Sequence, residues 1–177
     1  KPITGEKVKS VTLNGILKVH SKTDNGFELT REYFPSTDQP VYCEVYTIKN
    51  SSAKEAVIEV PSTHLEYNTD PVKGTEGFYR IYVDQHSINI FNVPPGSAIH
   101  FSIIYSGLKV KEQRTVFSTD QEKEKRQAFI SEVWSKLVLE TPDTVLNREF
   151  AFAKIRAAES IFETKGGPMH GPGGEAY

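Results

Sequence analysis

The chain has 177 residues, which is enough to bury one good hydrophobic core or, less comfortably, two small ones. Hydrophobic residues make up 37% of it and charged residues 25%, so the composition excludes a disordered chain and indicates a globular protein. The formal net charge of -2 excludes a general electrostatic attraction to nucleic acid or to an anionic membrane, and no apolar run approaches the length of a membrane span.

Residues 1–117 have the pattern of short strands separated by turns. Asn14-Gly15 lies between apolar flanks and predicts a hairpin with a type I′ turn, because both residues tolerate positive φ. Further strands are predicted over 27–34, 41–49, 56–60, 78–83, 87–91 and 98–106. The period of two and the repeated turns predict a mainly β fold, an antiparallel β-sandwich.

The hydrophobic period changes near Ser118, and residues 118–140 predict a linker helix. Ser118 or Asp120 is expected to cap it, and Glu122 to pair with Arg126 one turn later. Its apolar stripe consists of Phe129, Ile130, Val133, Trp134, Leu137 and Val138. We expect this stripe to lie on the sandwich, with Trp134 as a core anchor.

Residues 141–177 predict a second helix followed by a glycine-rich loop. Thr141 is expected as its N-cap, with Pro142 in the first turn and Asp143 near the positive end of the helix dipole. The helix has two apolar stripes, one of Leu146, Phe150, Ala153, Ala157 and Ile161 and one of Ala151, Ile155, Ala158 and Phe162. Two stripes require two packing neighbours, so we expect the chain to be part of a larger protein whose missing helical domain covers one of them.

The loop at the end of the sequence is the first candidate for a binding site, because glycine lets a backbone approach a ligand closely. His170 is its candidate functional side chain, although a solvated loop histidine explains it equally simply. Glu175 is a candidate general acid or sugar-binding carboxylate. The glycines lack the Gly-Lys-Ser/Thr ending of a phosphate loop.

Other residues have both a functional and a structural interpretation. Four strand tyrosines suit either a sugar-stacking platform or ordinary sheet packing: Tyr42, Tyr46, Tyr79 and Tyr82. Arg156 and Glu159 are spaced for a helix-surface ion pair. Asn50-Ser51-Ser52 fits the N-glycosylation sequon.

No catalytic residue, metal site or cofactor is predicted. The five histidines, His20, His64, His86, His100 and His170, lack the spacing of metal ligands. There is no Gly-x-Ser-x-Gly elbow, and the single cysteine, Cys43, lies within a strand pattern and is expected in the core.

Three segments carry a family resemblance. They are Arg31-Glu32-Tyr33-Phe34-Pro35 with residues 44–51, residues 139–143 leading into 150–161, and the glycine-rich residues 166–174. Together they resemble the N-terminal part of bacterial six-hairpin (α/α-barrel) glycoside hydrolases of the glucoamylase, trehalase and glycogen-debranching kinds. Pro172-Gly173-Gly174 is similar to a trehalase signature, with Glu175 where that signature has arginine.

The resemblance implies a non-catalytic region that braces a barrel and forms one wall of a sugar cleft. The substrate contacts it implies are His170, Gly171, Gly173, Gly174 and Glu175. The two catalytic carboxylates would come from the missing C-terminal barrel, so this chain alone is expected to be inactive and to meet carbohydrate only within the complete protein. A periplasmic or extracellular location suits such an enzyme. The alternatives are a stand-alone carbohydrate-binding module and a structural β-sandwich.

Overall fold

The computed structural model describes residues 4–73, 77–85, 90–164 and 166–171. The strands before the helices are β1 (Lys7–Leu13), β2 (Leu17–Lys22), β3 (Phe27–Pro35), β4 (Val41–Asn50), β5 (Ala56–Glu59), β6 (Thr63–Asn68), β7 (Tyr79–Gln85), β8 (Ile90–Val93) and β9 (Ala98–Lys109). They are followed by α1 (Thr119–Ser135), α2 (Thr144–Glu159), β10 (Ile161–Thr164) and β11 (Gly167–His170). The predicted mainly β class is confirmed. Neither described helix is long and apolar enough to span a membrane.

Two compact units make up the chain, Lys1–Arg126 and Gln127–Tyr177. The first contains an antiparallel sheet of seven strands in the order β1-β2-β3-β4-β9-β7-β6, together with the separate ladder β5-β8. The hairpin at Asn14-Gly15 is confirmed, but its predicted type I′ turn is wrong. Leu13 pairs with Leu17, so three residues form the loop, and Gly15 alone among them has a positive φ.

The register of the central strands β3, β4 and β9 divides the sheet into two unlike faces. Because successive side chains of a strand point to opposite faces, residues paired across the ladders share a face. We call one side the aromatic face; on these strands it consists of Phe27, Leu29, Arg31, Tyr33, Pro35, Tyr42, Glu44, Tyr46, Ile48, Asn50, Ile99, Phe101, Ile103, Tyr105, Gly107 and Lys109. Among these positions Arg31, Glu44 and, at the end of β9, Lys109 carry a charge, whereas the opposite face is mixed in polarity.

The side chain of Asn50, at the end of β4, fastens the β5-β8 ladder to the large sheet. Its Nδ2 donates to the carbonyls of Lys54 and Val93, both at 2.8 Å. Its Oδ1 accepts from the Ser52 amide at 3.0 Å and from the Ser52 hydroxyl at 2.7 Å. The residue is fully buried, with 0% of its surface exposed. A buried amide with both ends bonded in this way holds a single geometry.

The backbone of Asn50 adds two more bonds at the same junction. Its amide donates to Ser97 at 2.9 Å, and its carbonyl accepts from Gly96 at 2.7 Å. Next to this junction a core cluster joins the sheet and the ladder, made of Leu29, Ile48, Ile58, Val60, Val93 and Ile99. The ladder therefore covers one end of the aromatic face.

The N-terminal half of α1 packs on the sheet through buried charged groups. Ser118 caps it, because its Oγ accepts from the Gln121 amide. Glu122, 3% exposed, binds Ser36 and Lys125, and Arg126, 2% exposed, donates from Nε and a terminal nitrogen to the carbonyl of Gly15 at 3.0 and 2.8 Å. Glu122 and Arg126 are thus each buried against a loop of the sheet, and the expected pairing between them stays a prediction.

Several details of the predicted helices are wrong. The first ends at Ser135, so Leu137 and Val138 lie beyond it and are exposed, and Trp134 is 38% exposed rather than a core anchor. In the second, Asp143 and not Thr141 is the N-cap, since its carboxylate accepts from two first-turn amides.

The second helix is also shorter than predicted. It ends at Glu159, because the chain turns at Ser160 into the β10-β11 hairpin, so Ile161 and Phe162 do not extend its apolar stripes. Ile155 is 1% exposed and marks the buried side of α2, while Leu146, Ala153 and Ala157 of the other stripe are exposed.

Lys154 of α2 binds the end of α1. Its Nζ donates to the carbonyls of Trp134, Lys136 and Leu137 at 3.1, 2.5 and 3.2 Å. These carbonyls lie at or just beyond the last turn of α1, where helical hydrogen bonding stops and the dipole is negative. The last turn of α1 contains no basic residue of its own, so Lys154 supplies the missing cation.

We predict that Asn50→Ala lowers the free energy of unfolding by about 3 kcal/mol, since it removes several bonds and leaves buried carbonyls without a donor. Urea denaturation followed by far-UV circular dichroism measures the loss. The matched control is Asn92→Ala, which changes an exposed asparagine of β8. Equal effects of the two substitutions would show that the Asn50 contacts do not stabilise the junction.

We predict that Lys154→Met destabilises the second unit by about 1 kcal/mol, because methionine keeps the apolar stem and removes the cation from three carbonyls. Trp134 is the only tryptophan of the chain, so its fluorescence during unfolding reports on that unit alone. Arg148→Met, at an exposed position of α2, is the control. An unchanged midpoint for Lys154→Met would contradict the proposed capping.

Candidate functional site

A carboxylate surrounded by tyrosines lies on the aromatic face. The Tyr46 hydroxyl donates to a Glu44 carboxylate oxygen at 2.6 Å, and Tyr105 lies close enough for the Glu44 charge to raise its pKa. Tyr42 meets Tyr105 edge to face, with ring centroids 6.0 Å apart, and Tyr33 is the cross-strand partner of Glu44. We call these five residues the Glu44 cluster.

Three hydroxyls of the Glu44 cluster, those of Tyr42, Tyr46 and Tyr105, remain protonated donors. Burial raises the pKa of Tyr46 far above its usual range, and the Glu44 carboxylate raises it further. Burial and then the Glu44 charge also raise the pKa of Tyr42 and of Tyr105. These three phenols are therefore neutral at neutral pH.

A groove of about 440 Å³ adjoins the Glu44 cluster. Tyr46 belongs to both, and its ring stacks on Phe101 with centroids 4.8 Å apart and planes 3° apart. The rest of the wall is mostly apolar, with Glu59, Thr63 and Gln85 as its polar members. An apolar groove with a few polar groups is the usual form of a small-ligand site.

The positive charge of Arg31, which also lies on the aromatic face, is compensated by the carboxylate of Glu6. Its guanidinium makes two bonds to the Glu6 carboxylate, one of 2.8 Å, and the Ser21 hydroxyl donates to the same carboxylate at 2.6 Å. These bonds, chiefly from Arg31, lower the pKa of Glu6 from 4.5 to about 2. No comparable ion pair to Glu44 occurs among the residues that the structure describes.

The sequence-predicted site lies elsewhere, in the second unit. His170 is exposed at the end of β11, and its Nε2 is 2.9 Å from the Ser160 hydroxyl. The Gly171 amide donates to the Ser160 carbonyl at 2.7 Å. These contacts close the β10-β11 hairpin onto the end of α2. Gly173, Gly174 and Glu175 lie outside the described residues, so the substrate role of all five stays a prediction.

The candidate tyrosines divide between the two faces. Tyr42 and Tyr46 belong to the Glu44 cluster. Tyr82 is on the opposite face, 7% exposed under the Arg114 guanidinium, and Tyr79 pairs with Lys109 at the end of β9. Sequence reasoning missed Tyr33 and Tyr105 as partners of Glu44. Alternation placed each on a face, but only the register between strands brings them together.

A histidine–carboxylate pair, also missed from sequence, lies on the opposite face. His64 Nδ1 is 2.6 Å from Asp84, which also binds Arg114. Burial alone would raise the pKa of Asp84, but the bonds from His64 and Arg114 lower it overall. No serine, threonine or cysteine side chain among the described residues contacts His64, so the pair supplies no nucleophile.

Three other candidates have structural roles. Cys43 is 0% exposed in the sheet, and burial raises the pKa of its thiol to about 11, which confirms it as a core residue. The Asn50 nitrogen that a glycan would occupy is buried and bonded. Arg156 and Glu159 form the expected surface pair, at 3.1 Å.

Within the described ranges no group of three His, Cys, Asp or Glu residues is arranged to hold a metal ion, and His86 falls outside them.

Comparison with known proteins adds no assignment to this geometry. No protein-family model matches the chain, and no curated protein gives a significant match. The resemblance to six-hairpin glycosidases therefore stays a prediction.

We predict that Glu6 makes stability depend on pH in the acid range. Its pKa is lowered in the folded state, so its stabilisation is complete above about 4.5 and is lost as the pH falls towards about 2. The free energy of unfolding should thus fall less steeply over that range in Glu6→Gln than in the wild-type protein. Urea titrations at several pH values measure this slope. Glu124→Gln, at an exposed position of α1, should keep the wild-type slope; a wild-type slope in Glu6→Gln would refute the assignment.

Proposed function

We propose that the chain is a non-catalytic N-terminal region of a glycoside hydrolase acting on oligo- or polysaccharide, and that its aromatic face binds sugar. The observation that carries this proposal is the Glu44 cluster and the groove next to it. Tyrosine rings offer large rigid surfaces for the C–H faces of a sugar ring, and their hydroxyls bond its polar edge. The Glu44 carboxylate accepts hydrogen bonds from hydroxyls of the same sugar.

The proposal assigns a place to each part of the chain. The large sheet and the β5-β8 ladder form one end of a supersandwich-like β-sandwich, α1 links it to the next domain, and α2 is the first helix of an α/α barrel. What supports this role of α2 is its uncovered stripe of Leu146, Ala153 and Ala157, opposite the buried Ile155. A stripe of apolar and small residues suits close packing by another helix.

In the same proposal the segment that starts at His170 forms one wall of the sugar cleft. Support comes from the exposure of His170 and from its bond to Ser160, which fixes the direction of the ring. Gly171, Gly173, Gly174 and Glu175 are proposed as further sugar contacts. The catalytic carboxylates belong to the barrel, so this chain binds glycans without cleaving them.

A stand-alone carbohydrate-binding module is the second candidate, because the Glu44 cluster by itself suits such a protein equally well. The uncovered stripe of α2 favours the hydrolase, since a self-sufficient module does not need an exposed apolar helix face. A purely structural sandwich is the weakest alternative, because such a protein does not need the polar groups of the Glu44 cluster.

We predict that the chain binds at least one neutral or amino-substituted oligosaccharide and that Tyr42→Ala weakens this binding about tenfold, the value of one lost aromatic contact. Isothermal titration against a glycan panel measures the affinity. Phe152→Ala is the matched control: Tyr42 is 39% and Phe152 is 37% exposed, and Phe152 lies on α2. Failure to bind any glycan, or equal losses in both variants, would remove the proposal.

A further inference from the structure

We infer that the Glu44 cluster is a site for an organic ammonium group, and that its source is an amino sugar. This inference rests on the proposed function, because it names the kind of sugar that the same face takes. It is carried by the charges of the site and by the rings around them.

The charge of Glu44 is the first reason. On the central strands of the aromatic face the cations are Arg31, whose guanidinium Glu6 already binds through two bonds, and Lys109, which lies four residues beyond Tyr105 at the end of β9. The Glu44 carboxylate accepts a hydrogen bond from the phenol of Tyr46. A carboxylate offers about four acceptor positions, so this one hydroxyl leaves positions for a charged donor. Such a donor forms a stronger bond than a neutral hydroxyl does.

The groove is the second and independent reason. Its lining contains a second carboxylate, Glu59, and contains no lysine, arginine or histidine. Glu59 is exposed and makes no ion pair with a described residue. The groove and the cluster therefore share one sign of charge, which attracts cations and repels a uronic acid.

The aromatic rings are the third reason. Tyr33, Tyr42, Tyr46 and Tyr105 surround Glu44, and Phe101 stacks on Tyr46. The face of an aromatic ring is electronegative and attracts an ammonium group, and sets of such rings bind alkylated ammonium ions in other proteins. A neutral sugar gains the stacking but not the charge contact, so the site discriminates among sugars by charge.

Titration calorimetry of the full chain tests this with four probes: short oligomers of glucosamine, of N-acetylglucosamine, of glucose and of a uronic acid. At mildly acidic pH, where the sugar amine is protonated, we expect the glucosamine oligomer to bind about tenfold more tightly than its N-acetylated counterpart. The uronic acid oligomer should bind most weakly. These comparisons use the wild-type protein, so they do not depend on the folding of a variant.

The variant Glu44→Gln keeps the shape of the side chain and removes its charge. It should lower the affinity for the glucosamine oligomer about tenfold and the affinity for the glucose oligomer much less, because the glutamine amide oxygen still accepts from sugar hydroxyls. Glu66→Gln is the control: it makes the same change beside a tyrosine on the opposite face, and should alter neither affinity.

The outcomes separate this inference from the proposed function. Binding of sugars without preference for the amine, or without a loss in Glu44→Gln, overturns the inference and leaves the proposed function standing. Tetramethylammonium is a fifth probe, since it is a cation without a sugar. If it binds in a Glu44-dependent way while no oligomer does, the cation site is supported and its amino-sugar source and the proposed function are overturned. If nothing binds, both fall.

Discussion

The first unit depends on how Asn50 is hydrogen-bonded. β4 ends there, the chain leaves the large sheet for the ladder, and it later returns through the turn at Gly96. At such a crossing a buried carbonyl without a donor is costly. The Asn50 amide supplies donors to the carbonyls of Lys54 and Val93, which fixes the ladder over one end of the aromatic face and gives the core cluster its second layer.

The aromatic face follows from this arrangement. The ladder is short, since β5 and β8 pair through four residues each, so it covers Leu29, Ile48 and Ile99 and leaves the Glu44 end of the face accessible. A face that alternates apolar and aromatic residues would normally be buried along its whole length. Here the uncovered end carries tyrosines and one carboxylate, residues that tolerate water and bind polar ligands. The geometry thus separates a packing end from an uncovered end on one surface.

The sequence predicted the individual strands and helices more accurately than the contacts between them. The alternation from Val41 to Lys49 placed Tyr42, Glu44 and Tyr46 on one face, and the structure has them there. It did not bring Tyr33 or Tyr105 beside them, because a period of two says which face a residue takes and not which strand lies next to it. Asn50 was interpretable only as a sequon, since its partners Val93, Gly96 and Ser97 are distant in sequence. Helical spacing likewise continued through Ile161 and Phe162, where the hairpin with β11 overrides it.

The difference between the predicted and the observed sites has a physical cause. A glycine-rich segment attracts attention because it is conformationally free, yet the described part of that segment is used to build a hairpin: Gly167 has a φ of 107°, and His170 and Gly171 bind Ser160. The conformational freedom of these glycines therefore serves to end α2 and to form the hairpin. A charge that stays uncompensated on an otherwise apolar surface is a stronger sign of binding, because desolvation makes it costly to keep without a ligand-binding role. By that criterion Glu44 is a stronger candidate than His170 for the centre of a ligand site.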